Sequence, residues 1–152
     1  MLSGVPEGSI LGPILFACYV ADLPSRIETS CLSYADDVKI FNRINSPADA
    51  RPLQADLDRL SLWSKTWRLQ LNPAKCKVIT FTLRSSPHIA SYMLDGHQLE
   101  RCVRVRDLGI ILDTRLTFAD QAPPFPMLTA CWVYSLGACK CRLPCTERVL
   151  IM

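Results

Sequence analysis

Residues 33–41 read SYADDVKIF, and two adjacent carboxylates, Asp36 and Asp37, interrupt a largely apolar stretch. Neighbouring acids repel, and acids are rarely buried unless paired or bound to a metal. The flanking runs 31–34 and 38–41 have the composition of short strands. The segment is therefore expected to be a β-hairpin with Ala35, Asp36 and Asp37 at its tip. A tip is solvated, so the desolvation cost is small there. The mutual repulsion remains for solvent or a cation to offset.

Upstream lies the most apolar run of the chain, ILGPILFACYVA at 10–21, preceded by a loop punctuated by Gly4, Pro6 and Gly8. Ser9 is placed to cap a helix running to about Asp22, with Pro13 in its first turn and Leu23-Pro24 ending it. The run is shorter than the ~20 residues a membrane span needs. The charge before it is Glu7 rather than a basic segment, which does not suit a signal peptide. A buried helix in an intracellular protein, nuclear or cytoplasmic and with no membrane partner, is the expectation.

Downstream, Ser46-Pro47-Ala48-Asp49 has the form of a capping box with Pro at the first helical position. Leu53, Leu57, Leu60, Trp63 and Trp67 then recur at spacings of three and four, which predicts a helix to about Leu69 with one apolar face. Asp56, Asp58, Arg59 and Lys65 are expected off that face. Asn72-Pro73 breaks the helix, and KVITFT at 77–82 reads as a strand. Asp95-Gly96-His97 separates two short β-rich runs, the mark of a hairpin. Residues 103–105 and 108–112 read as two strands or one bent strand. Pro123, Pro124 and Pro126 forbid regular structure, and a helix is expected to resume over 127–141.

With 152 residues the chain suffices for one ordinary domain, and 49% hydrophobic against 20% charged residues argues for a packed chain rather than a disordered one. The net charge of +3 permits nucleic-acid binding without indicating it. Eight cysteines in 152 residues fall below the density of a disulfide scaffold; a small secreted Cys-rich protein stays a third reading, which a count of eight free thiols in the unreduced native chain would remove. Cys18, Cys31 and Cys76 are expected to be small buried hydrophobes. The cluster Cys139, Cys141, Cys145 lacks a fourth ligand and a nearby His, so incidental thiols are favoured over zinc.

The segments SGVPEGSILGPILFACYVADLP at 3–24 and YADD at 34–37 resemble two consecutive blocks of reverse transcriptases, most closely those of non-LTR (LINE-type) retrotransposons. The order continues as in that family: a helix bearing Trp63 and Trp67, then LNPAKC at 71–76, the strand 78–81, VRDLGIILD at 105–113 and LTF at 116–118. Five blocks in order form a specific signal, where a lone ADD does not.

The resemblance implies an α+β fold, part of a right-hand polymerase palm over 1–118, with helices packed on an antiparallel sheet that carries the YADD hairpin. A divergent or disordered, thumb-like tail follows over 119–152. It implies RNA-directed DNA polymerase activity on an RNA template, a DNA primer and dNTPs, with two Mg²⁺ ions. By family, Asp36 is a direct metal ligand and Asp37 a more peripheral one. Lys75 matches a cation near the pyrophosphate, where it serves as general acid or electrostatic stabiliser; the plain alternative is an exposed lysine after a helix. The loop Gly4, Pro6, Glu7, Gly8, Ser9 resembles one that contacts template and nascent base pair, and Tyr34 belongs with the nucleic-acid-binding set. The family usually has Gln where Glu7 stands, and a negative charge there weakens such a contact. Leu108 and Gly109 resemble the primer-grip region, with Arg101, Arg104 and Arg106 as phosphate-binding candidates or a solvated strand face. Trp63 and Trp67 are expected in the core, and His97 as a turn residue.

The family uses a third carboxylate from a strand upstream of the SGVP block, and this sequence begins two residues before that block. The isolated chain is accordingly expected to be a reverse transcriptase fragment without activity of its own. The other class to weigh is a non-catalytic nucleic-acid-binding remnant of a transposable element.

Overall fold

The computed structural model describes residues 10–117 and 147–151. The loop Gly4, Pro6, Glu7, Gly8, Ser9, the helix expected at 127–141 and the cysteines at 139–145 lie outside the described residues. Helix α1 (Leu11–Val20) leads through a short α2 (Leu23–Arg26) to β1 (Ser30–Tyr34) and β2 (Asp37–Ile44). Helix α3 (Ala50–Trp67) follows, then β3 (Lys77–Phe81), β4 (Met93–Leu94), β5 (His97–Gln98), β6 (Glu100–Cys102), β7 (Arg104–Asp107), β8 (Ile110–Asp113) and β9 (Glu147–Ile151).

Local chemistry sets the length of α3. The Ser46 side chain and the Asp49 side chain satisfy each other's backbone donors in a capping box, with Pro47 opening a single 3₁₀ turn ahead of the helix. Arg68 in the left-handed conformation (φ 55°) ends it. Leu53, Leu57, Leu60 and Trp63 are buried on one face, against Ile40 and Ile44 of β2, Val78 of β3 and Leu94 of β4. Each such side chain contributes about 1.5–3 kcal/mol by leaving water. Trp67, the last of the periodic series, is 38% exposed and takes the Tyr19 ring edge-on at 5.0 Å.

Asp56 departs from the expected pattern: it is fully buried on the packed side of α3. It accepts hydrogen bonds from the backbone N–H groups of Glu28 (3.0 Å) and Thr29 (2.8 Å), from the Thr29 hydroxyl (2.6 Å) and from Arg59 (2.5 Å). Burial pushes its carboxyl pKa up, but these donors outweigh that and hold it below the ordinary value. The carboxylate ties α3 to the entry of β1.

The main sheet has five strands in the order β1-β2-β9-β3-β6. It is mixed rather than antiparallel throughout, because residues 82–99 cross over and lay β6 parallel to β3, with Lys77 opposite Glu100. Strand β9 is antiparallel to both neighbours, with Ile151 opposite Ile40 and Val78. Residues 147–151 of the expected tail are thus paired inside the same sheet as residues of the expected palm. Two further hairpins stand apart from this sheet, β4–β5 and β7–β8. Their two-residue turns, Asp95-Gly96 and Leu108-Gly109, both have positive φ at each position, which is why glycine sits second in each. His97 lies in β5 beyond the first turn, so the loop is one residue shorter than the sequence suggests.

Helix α1 is not the buried helix expected. Gly12 is its one buried residue, while Leu11 is 63% and Ile14 56% exposed. Its apolar residues run all round it, so no single stripe dictates which side is covered. Cys18 is exposed with it, whereas Cys31, Cys76 and Cys102 are half-buried free thiols whose pKa burial pushes up. No helix among the described residues is long and apolar enough to cross a membrane.

Candidate active site

Strands β1 and β2 pair so that Tyr34 faces Asp37, leaving Ala35 and Asp36 as a two-residue turn. Ala35 carries φ 53°, a left-handed conformation that costs a non-glycine residue. Asp37 is the first residue of β2 rather than part of the turn. Both acids are exposed, and among the described residues neither joins an ion pair.

A cleft of about 870 Å³ opens beside this tip and is lined by Asp36, Asp37, Lys75 and Leu108, among others. They come from three separate parts of the sequence. Lys75 is presented by a turn that Asn72 builds: its side chain accepts from Ala74 N–H (3.2 Å) and its carbonyl from Lys75 N–H (3.0 Å). Leu108 stands in the β7–β8 turn. Tyr34 and Gly109 do not line the cleft, though each adjoins a residue that does.

The three arginines separate. Arg104 and Arg106 line the cleft. Arg101 is committed elsewhere, to the Thr80 hydroxyl and to the Ala90 carbonyl at 2.7 Å. It does not line this cleft. Lys77 also lines the cleft, with Glu100 as ion-pair partner holding its pKa up.

Sequence reasoning missed the pair Lys39 and Asp107. Lys39 Nζ lies 2.6 Å and 2.7 Å from the two carboxylate oxygens of Asp107, and both side chains are buried in the cleft wall. Nothing in the sequence warned of it: alternation along β2 puts Lys39 on the face opposite Val38 and Ile40, where a polar residue is expected.

As metal ligands the tip acids are a partial donor set. Their carboxylates are accessible, but among the described residues no group of three or more His, Cys, Asp or Glu converges to hold an ion. The strand next to β2 adds none near the tip. Strand β9 places Glu147 opposite Ile44, seven residues along β2 from Asp37, or about 23 Å at strand rise.

Residues 2–122 match the family described as reverse transcriptase (RNA-dependent DNA polymerase), and the chain belongs to that family. Its relatives are polymerases of mobile elements, consistent with a LINE-type retrotransposon origin. It is 39% identical over 128 residues to the Drosophila melanogaster protein named "Probable RNA-directed DNA polymerase from transposon BS", covering 78% of this chain and 14% of that one. It is 33% identical over 127 residues to the RNA-directed DNA polymerase from mobile element jockey of Drosophila funebris, covering 76% and 14%. The chain therefore spans about one-seventh of these relatives, 14% of each. No solved structure matches it.

Proposed function

We propose that the cleft at the head of β2 is the nucleotidyl-transfer site of a reverse transcriptase palm, contributed by this chain as part of an RNA-directed DNA polymerase. One observation carries this: Asp36, Asp37, Lys75 and Leu108, drawn from three of the matching sequence blocks, line a single cleft. Phosphoryl transfer calls for positioning and charge neutralisation more than for covalent participation.

A pair of Mg²⁺ ions would supply charge stabilisation at the attacking and leaving oxygens. Asp36, in the turn, would hold an ion directly. Asp37, leading into β2, would lend it a second, more peripheral carboxylate. Lys75 would neutralise charge developing on the leaving pyrophosphate or hand it a proton. Leu108-Gly109, with Arg104 and Arg106 beside it, would hold the primer strand. The loop Gly4, Pro6, Glu7, Gly8, Ser9 and Tyr34 would face the RNA template and the incoming dNTP. Taken alone, the chain would be inactive, since among the described residues these two carboxylates have no third beside them to hold both ions.

The test is a graft. The matching segment of the jockey polymerase is replaced by this chain's residues 2–122, and primer extension on an RNA template is measured. Extension that disappears with Asp36→Ala is expected, along with none from the 152-residue chain by itself. A folded graft that extends primers equally well with Asp36→Ala would overturn the proposal. The incomplete donor set favours one other reading, a nucleic-acid-binding remnant. It predicts salt-dependent RNA binding by the isolated chain with no response to Mg²⁺ or to Asp36→Ala.

A further inference from the structure

We infer that the buried Lys39–Asp107 ion pair is a positioning latch that fixes the Leu108–Gly109 turn against the carboxylates of the YADD hairpin. The role of the latch rests on the cleft being the nucleotidyl-transfer site; its existence rests on geometry alone. Lys39 lies two residues after Asp37 on β2, hence on the same face of the strand. Asp107 is the last residue of β7, immediately before the turn. The lysine nitrogen reaches both carboxylate oxygens, at 2.6 Å and 2.7 Å, and the two side chains are only 6% and 9% exposed. The pair thus joins two separate sheets, the five-stranded sheet and the β7–β8 hairpin, beside the acids.

The hairpin needs such a tether at this end. Its base is already tied to the end of β3 by a backbone hydrogen bond from Thr82 N–H to the Thr114 carbonyl (3.0 Å), while Thr114 N–H to the Val103 carbonyl (3.2 Å) continues the hairpin's own ladder. The tip lies at the other end of β7 and β8, where Asp107 pairs with Ile110. A lone two-stranded hairpin is marginal in water. A leucine contact would hold the tip near the cleft wall at a loosely defined distance. A charge-assisted contact to both oxygens fixes distance and direction together. Buried ion pairs are weak contributors to net stability, and specifying one arrangement is their best attested use. Lys39 and Asp107 are on this basis positioning residues, acting through the turn and not on substrate.

The test is amide hydrogen exchange on the intact 152-residue chain, free of metal. In Asp107→Asn, exchange over residues 104–113 should rise about tenfold or more, while α3 and β3 keep their protection. Unchanged exchange at 104–113, or a uniform rise in a variant whose circular dichroism shows it folded, would overturn the latch. Asp107→Asn strands a buried ammonium and can unfold the chain. The double variant Lys39→Met/Asp107→Leu leaves no buried charge, should fold, and should still exchange faster over 104–113; wild-type protection in that variant refutes the inference. A second readout adds Mn²⁺ and follows paramagnetic broadening of amide signals. Wild type should broaden at both Asp37 and Gly109, and the double variant at Asp37 alone. Broadening at Gly109 retained in the double variant contradicts the latch. Broadening at neither residue in wild type sinks the metal site, and the exchange rates still judge the latch.

Discussion

Asp56 and the pair Asp36–Asp37 are carboxylates placed in opposite circumstances. Asp56 is fully buried and accepts from two backbone N–H groups, a hydroxyl and a guanidinium, so the fold itself compensates its charge. Asp36 and Asp37 stand exposed at a hairpin tip, side by side, with no ion pair among the described residues. An acid that supports the structure brings its donors with it. On the proposed function, Asp36 and Asp37 are left for a metal ion to satisfy. The cations divide the same way: Arg101 is spent on Thr80 and Ala90, whereas Arg106 faces the cleft.

That contrast breaks or sharpens under substitution. The largest effect is expected from Asp56→Ala, which strands Arg59 and two backbone donors. Urea unfolding should show a loss of about 3–5 kcal/mol, and a loss below about 1 kcal/mol would place Asp56 among the dispensable acids. Acid should act on the same residue. Its folded-state pKa lies below the ordinary 3.8, so its contribution is fully present above that value and is lost as pH falls through the lower folded value. Asp56→Asn should remove this part of the acid slope, seen as a flatter dependence of the urea midpoint on pH below 3.8. An unchanged slope would contradict the hydrogen-bonded carboxylate.

Smaller effects should separate the arginines. Arg101→Ala is expected to cost about 1–3 kcal/mol by unpairing partly buried acceptors, with little change in RNA affinity after correction for folding. Arg106→Ala should leave stability within about 0.5 kcal/mol and lower RNA affinity while reducing its salt dependence by about one phosphate contact. The reverse outcome would exchange their roles. The smallest effect on stability is expected from Asp36→Ala, within about 0.5 kcal/mol and on the stabilising side if repulsion between the acids is felt. A large loss would make the tip acids structural.

Much of this was legible in the sequence wherever local chemistry decides the outcome. The capping box at Ser46 and Asp49, the apolar spacing of Leu53, Leu57, Leu60 and Trp63, and the Asp95-Gly96 turn act over a few residues, and the pattern carries them. The cleft was legible only through resemblance, because nothing in composition says that positions 36, 75 and 108 meet. The mixed sheet and the central place of β9 were not legible, since strand partners far apart in sequence leave no local mark. Asp56 misled because a charged residue on a packed helix face looks like an error in periodicity until Arg59 is seen beside it, and Lys39 left no mark because strand alternation puts it where a polar residue is expected. Helix α1 misled in the opposite sense, because an all-round apolar helix announces burial without naming what buries it.

The most direct measurement of the central claim is Mn²⁺ uptake by the purified chain, read from the loss of the free-ion electron paramagnetic resonance signal. Wild type, Asp36→Ala and Asp58→Ala are compared, Asp58 being an exposed acid of α3 away from the cleft. Weak, saturable uptake is expected, abolished by Asp36→Ala and kept by Asp58→Ala. No saturable uptake in wild type, or equal uptake after Asp36→Ala, would contradict the assignment of the hairpin acids to metal.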